Sequence, residues 1–176
     1  MRIYAAKAAE ILYARCQEFK GLTPQEICKQ QNITFMLSND LMPDKGQIVW
    51  TPPPVSYLIT VSAFDKKLRS DFIAYNELAH YFLLQKHIPA PLGSEEYWIT
   101  EAWCNNFTLA MMLACFGVDI MPRDNLPEFF NIGAELTDGN AIDAAIVKRL
   151  KKYLEGREIS PELEEFCNTF QKNSSK

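Results

Sequence analysis

The chain has 176 residues and a mass of 20.2 kDa, with 48% apolar and 23% charged residues. This composition is typical of one compact domain with a full core, and it excludes a disordered, collagen-like or coiled-coil protein. The 18 basic and 22 acidic residues give a net charge of −4. Because binding to nucleic acid or to an anionic membrane needs a cationic surface, we expect neither as a partner.

The cysteines indicate the compartment. The five of them are odd in number and scattered, without a C-x-x-C pair, which favours reduced thiols over a disulfide framework or a thiolate metal cage. Lys7 and Glu10 interrupt what would have to be the apolar core of a signal peptide. The two longest uncharged stretches contain prolines or polar residues, so neither of them resembles a membrane span. We therefore expect a cytoplasmic protein.

Two helices are predicted at the start of the chain. Apolar residues recur at helical spacing from Tyr4 to Phe19, and Gly21 is placed to end this helix. Thr23 then begins a second, shorter helix, because the sequence Thr-Pro-Gln-Glu supplies an N-cap, a proline in the first turn and Glu26 three residues after the cap.

A small sheet and two longer helices are predicted next. The three β-rich runs lie at 33–38, 47–51 and 55–61. From about Phe64 the pattern becomes helical up to about His87, where prolines stop it, and a further helix runs from Ser94 to about Phe116. The remaining predicted helices lie near 127–131, at 141–155 and after Ser160. The predicted class is α+β, in one domain over 1–171 with a polar tail at 172–176.

The sequence N-E-x-x-H, which begins at Asn76, carries the candidate chemistry. In zinc peptidases with an H-E-x-x-H motif, two histidines one turn apart bind the metal, and the glutamate after the first activates the bound water. Here Asn76 stands at the first histidine position, while Glu77 and His80 keep their places. Taken alone, an E-x-x-H pattern is common in helices and favours a structural interpretation.

Glu101, on the next predicted helix, is the candidate third ligand. In one branch of the zincins a glutamate on a later helix completes the metal site. A carboxylate on a buried helix needs a partner, because burying an unpaired charge costs several kcal/mol. The candidate partners are a metal ion, His80 and Asn76. Asn105, four residues later on the same face, is a candidate to hold Glu101 or His80, or to satisfy a buried carbonyl.

These segments together resemble the ImmA/IrrE family of zinc metallopeptidase-like proteins over about 22–122. The resemblance implies a zincin-like fold, in which a small β-sheet packs against several helices, including the N-E-x-x-H helix and a long apolar helix, with a helical extension at 123–171. It also implies a bacterial or phage protein that cleaves or antagonises a helix-turn-helix repressor. The matching segments are the capped second helix, the strand before the N-E-x-x-H helix, the E-L-A-H-Y-F-L core, Glu101-x-x-Cys104-Asn105 and Met121-Pro122.

By the same resemblance, His80 and Glu101 are zinc ligands and Glu77 is the general base. Asn76 departs from the pattern, since an amide oxygen is a poor zinc donor and one of three protein ligands is effectively lost. Two hypotheses follow. The protein is a regulatory pseudoenzyme that binds a repressor-type or phage-defence protein, or it is an active zinc-dependent endopeptidase that cleaves a helix-turn-helix repressor. The structural alternative is a network in which Asn76 and His80 bond to Glu101 without a metal.

Three further features have ordinary interpretations. His87 lies two helical turns beyond His80, about 10 Å along the axis, so an unbroken helix does not bring both to one ion. The basic residues within 148–152 are expected to form a solvated helix face rather than a nucleic-acid site. Cys104 is expected to be a buried thiol, with a soft metal ligand or a redox-active group as the alternatives.

Overall fold

A computed structural model describes residues 2–43, 45–52, 57–84, 95–120 and 148–173. These residues form an α+β structure of three strands and six helices. The α+β class and the three strands agree with the sequence prediction, which also includes a seventh helix. The predicted short helix at 127–131, His87 and Met121-Pro122 lie outside the described residues. The helices are α1 (Arg2–Phe19), α2 (Pro24–Gln30), α3 (Lys67–Leu84), α4 (Glu95–Cys115), α5 (148–154) and α6 (Pro161–Asn173), and the strands are β1 (Thr34–Ser38), β2 (Gly46–Trp50) and β3 (Tyr57–Ser62).

The predicted turn between α1 and α2 is confirmed. Gly21 has a φ of +80°, the left-handed conformation that ends a helix most easily at glycine. Thr23 forms the capping box: its hydroxyl accepts from the backbone N–H of Glu26 at 3.3 Å, and the Glu26 carboxylate accepts from the backbone N–H of Thr23 at 2.8 Å. Both orphan amides at the start of α2 are thereby satisfied.

The sheet has the strand order β1-β3-β2. β1 pairs with β3 in parallel, and β2 pairs with β3 antiparallel, so β2 is an edge strand among the described residues. β1 begins one residue later than predicted, because the backbone N–H of Ile33 donates to Cys28 at 2.8 Å and closes the end of α2. β2 and β3 are displaced by one or two residues from their predicted limits.

α3 is the central helix and packs against the sheet, α1 and α4. It begins at Lys67 rather than near Phe64, because a turn precedes it in which the backbone N–H of Phe64 donates to the Ser62 hydroxyl at 3.2 Å. The Phe82 ring of α3 lies 5.6 Å from that of Phe19 in α1 and 6.0 Å from that of Phe107 in α4. Aromatic contact thus ties the three helices into one core.

α4 runs through this core, and every residue from 102 to 113 is buried. Its polar residue Asn106 is fully buried and accepts a hydrogen bond from Arg149 of α5. The neighbouring lysines of α5, Lys148, Lys151 and Lys152, are exposed. Among the described residues, no helix combines the length and the apolar character needed to cross a membrane.

Candidate functional site

The candidate site lies where α3 faces α4 and the edge strand β2. α3 supplies Asn76, Glu77 and His80, and α4 supplies Glu101 and Asn105. All five contribute to the hydrogen bonds or close electrostatic contacts described below. The sequence-predicted residues therefore meet in one place, although several of their partners were not singled out by the sequence.

His80 and Glu101 form the centre of the site. The Nε2 atom of His80 lies 3.0 Å from Oε1 of Glu101, and the two side chains are 22% and 18% exposed. Of the three partners considered for Glu101, the structure thus provides His80. Both side chains are therefore partly accessible to solvent rather than fully enclosed in the core.

Cys104 holds the other side of the His80 ring. Its Sγ atom lies 3.7 Å from Nδ1 of His80, and the residue is fully buried in α4. Burial lowers the pKa of His80, but contact with Cys104 and Glu101 raises it, and the net pKa lies well above the usual value. Burial also raises the pKa of the Cys104 thiol, so the negative charge that favours the imidazolium comes from Glu101. These contacts favour the protonated imidazole ring, with Glu101 beside Nε2 and Cys104 beside Nδ1.

Asn76 is bonded across the helix interface. Its Nδ2 atom donates to Oδ1 of Asn105 at 3.2 Å. Asn105 accordingly holds Asn76, which was not among the partners predicted for it. This bond connects α3 to α4 one turn away from the pair formed by His80 and Glu101, and it fixes the amide that stands in the first histidine position.

Glu77 contacts the edge strand. The backbone N–H of Ile48 in β2 donates to its carboxylate. Burial raises the pKa of Glu77 to about 7, nearby His80 lowers it, Glu101 raises it further, and the bond from Ile48 lowers it. Glu77 is thus a carboxylate that ionises near neutral pH and that ties α3 to β2.

Gly46 makes this close approach of β2 possible. A Cβ atom at Gly46 would collide with the Cγ2 atom of Ile73 and would lie 3.2 Å from Oε1 of Glu77. We expect Gly46→Ala to lower the free energy of unfolding by about 1–3 kcal/mol, because β2 must move away from α3. Chemical denaturation measures this loss. A matched Gly117→Ala change has no Cβ contact, so its cost is conformational strain alone at a φ of +75°.

Tyr97 is a site residue that the sequence analysis missed. Its hydroxyl donates to Glu101, and burial together with Glu101 raises the pKa of the phenol. The signal was present in the sequence, since Tyr97 precedes Glu101 by one helical turn and the two share a face of α4. The contacts of Gly46 and Ile48 had no such signal, because they depend on the position of β2 against α3.

The donor set does not fit a zinc site with three protein ligands. The described residues contain no group of three His, Cys, Asp or Glu side chains arranged to hold a metal ion. Nε2 of His80 is engaged by Glu101 and Nδ1 lies against Cys104. The position of the first histidine is held by Asn76, whose only candidate donor atom is a neutral amide oxygen.

Comparisons with models of known protein families, with curated proteins and with solved structures find no match for this chain. The resemblance to the ImmA/IrrE family accordingly depends on the sequence motifs around His80 and Glu101. The contacts between α3 and α4 are a separate observation, drawn from the geometry alone.

Proposed function

We propose that this protein is a pseudoenzyme with an ImmA/IrrE-like, zincin-like fold, which works in the cytoplasm. In this proposal it binds a repressor-type or phage-defence protein in the cleft beside His80 and Glu101. It regulates that partner by occupying it rather than by cleaving it.

The observation that carries the proposal is the set of bonds within the site. His80 donates to Glu101 and faces Cys104, and Asn76 donates to Asn105. A zinc ion would have to displace the proton on Nε2 of His80 and would gain only an amide in place of the second imidazole. The side chains therefore satisfy one another without a metal, which is what a retained but non-catalytic cleft requires.

The retention of Glu77 agrees with this proposal. In a peptidase this residue would serve as a general base, which has no purpose in an inactive site. Here its carboxylate accepts from the backbone N–H of Ile48, and that bond gives it a structural role at the edge strand β2. Glu77 holds β2 in position against α3, so loss of the Glu77 carboxylate would alter the surface on which we propose that a partner binds.

A second candidate function is an active zinc-dependent endopeptidase that cleaves a helix-turn-helix repressor. The observation that favours it is also at Glu77, whose pKa of about 7 suits a general base at neutral pH. This alternative needs tight metal binding, which separates it from the first proposal.

Metal content decides between the two candidates. Protein purified without a chelator or a metal-affinity tag is analysed by plasma mass spectrometry, beside a His80→Ala variant. We expect both proteins to contain far less than one equivalent of zinc. Near-stoichiometric zinc in the wild type that His80→Ala loses would establish a working metal site and overturn the pseudoenzyme proposal.

A further inference from the structure

A cavity lies between the start of α3 and α6, away from the candidate site. Its volume is about 320 Å³, and its lining comes from residues 66–69, where α3 begins, and from Glu162, Glu165 and Phe166 of α6. Residue 69 precedes Asn76 by seven positions, which is about 10 Å along the helix axis. The cavity shares no lining residue with the candidate site, so its chemistry is separate from the question of a metal.

The interior of this cavity is apolar. Phe166 is buried, and its ring lies 5.8 Å from that of Phe72, which anchors α6 on α3. Leu68 is partly buried and adds an aliphatic wall on the α3 side. The guanidinium of Arg69 lies 5.5 Å from the centre of the Phe72 ring, so a positive charge is held next to this apolar surface. The volume is that of about ten water molecules, at the lower end of the range for ligand pockets, and it suits one ring with a short chain.

Cations outnumber carboxylates around the cavity. The charged residues that line it are Lys66, Lys67, Arg69, Glu162 and Glu165, so the lining has a formal charge of +1. The whole chain, by contrast, has a net charge of −4. The cavity is therefore a locally cationic place on an acidic protein, and the charge that complements it is that of an anion.

The two lysines lie at the rim of the cavity, where a ligand can reach them. The side chain of Lys66 is 77% exposed and pairs with Glu165 of α6, and that of Lys67 is 75% exposed and pairs with Asp71. Such exposed ion pairs contribute little to stability, so they oppose a further contact only weakly. An ammonium has three donors. Each lysine therefore has donors for a ligand carboxylate besides those used in its ion pair.

We propose that this cavity is a binding site for a small organic carboxylate with an apolar body. The apolar body covers Leu68 and Phe166, and the carboxylate accepts hydrogen bonds from the basic side chains of residues 66–69. A ligand in this position contacts both α3 and α6, so it fastens α6 to the central helix. This inference goes beyond the proposed function and does not depend on it.

Three probes of similar shape and different charge test the inference on the wild-type protein. 4-Phenylbutanoate, 4-phenylbutanamide and 4-phenylbutylamine are each titrated into the isotope-labelled chain and followed by NMR. We expect the carboxylate to bind at least about fivefold more tightly than the amide, with shift changes at residues 65–69 and 162–166. Butanoate, which lacks the ring, should bind at least about fivefold more weakly than 4-phenylbutanoate. No saturable binding, equal affinity for carboxylate and amide, a preference for the amine, or equal affinity for butanoate would each overturn the inference.

Two double variants locate the binding. Lys66→Gln with Lys67→Gln removes two exposed charges from the rim, and the preference for carboxylate over amide should fall to about twofold or less. Lys148→Gln with Lys152→Gln makes the same change of net charge on α5, where both side chains are exposed and neither lines the cavity, and the preference should remain. A preference that survives the first pair of changes, or that falls equally in both variants, contradicts the assignment. Zinc content does not enter this test, so its failure leaves the pseudoenzyme proposal standing.

Discussion

Asn76→His is expected to give the protein a zinc site with three protein ligands. The substitution places a second imidazole one helical turn before His80 on α3, at the position that now donates to Asn105 of α4. The two imidazoles and Glu101 then form the donor set of a zincin, and about one equivalent of zinc should bind. At a free zinc concentration 100 times the dissociation constant, the free energy of unfolding rises by about 2.7 kcal/mol. Plasma mass spectrometry and thermal unfolding with and without zinc measure the two effects.

Asn76→Ala is the matched control for this experiment. It breaks the bond to Asn105 as Asn76→His does, but it adds no imidazole, so neither bound zinc nor zinc-dependent stabilisation is expected. The double change Asn76→His with His80→Ala should lose whatever zinc the single change gains. If Asn76→His binds no more zinc than the wild type, the geometry between α3 and α4 does not support a zincin site. The resemblance to the ImmA/IrrE family would then not extend to the arrangement of these side chains.

Most of the fold could be predicted because its signals are local. The capping box at Thr23, the glycine at position 21 and the helical spacing of apolar residues each act over a few residues, and each marked its element correctly. The order and direction of the strands could not be predicted in this way. β3 lies between β1 and β2, an arrangement that depends on pairing between segments far apart in the chain and that no short stretch of sequence encodes.

The site shows the same division between local and long-range information. The spacing within N-E-x-x-H placed Asn76, Glu77 and His80 on neighbouring positions of one helix, and a lone charge on a buried helix pointed to Glu101. The choice among several polar partners was not encoded locally. Asn105 had three candidate roles by its position, and the actual bond to Asn76 depends on how α3 and α4 are aligned.

Glu77→Gln is expected to stabilise the metal-free protein at alkaline pH. The pKa of Glu77 is raised from 4.5 to about 7 by burial, so the folded state binds a proton more tightly than the unfolded state. Stability contributed by this group is complete below about pH 4.5 and is lost as the pH rises through about 7. Glutamine does not ionise and avoids this loss, while its amide oxygen can still accept from Ile48. The gain at pH 8 should be about 2–3 kcal/mol, with little change at pH 4.5.

Denaturation in the presence of a chelator, at pH 4.5 and at pH 8, measures this difference. Glu165→Gln, on the exposed surface of α6, should change stability by less than about 0.5 kcal/mol at either pH. A Glu77→Gln protein that loses stability at pH 8 would show that the ionised carboxylate is favourable in the fold. A gain at pH 8 would instead mean that the wild type retains a buried charge at Glu77 that lowers its free energy of unfolding.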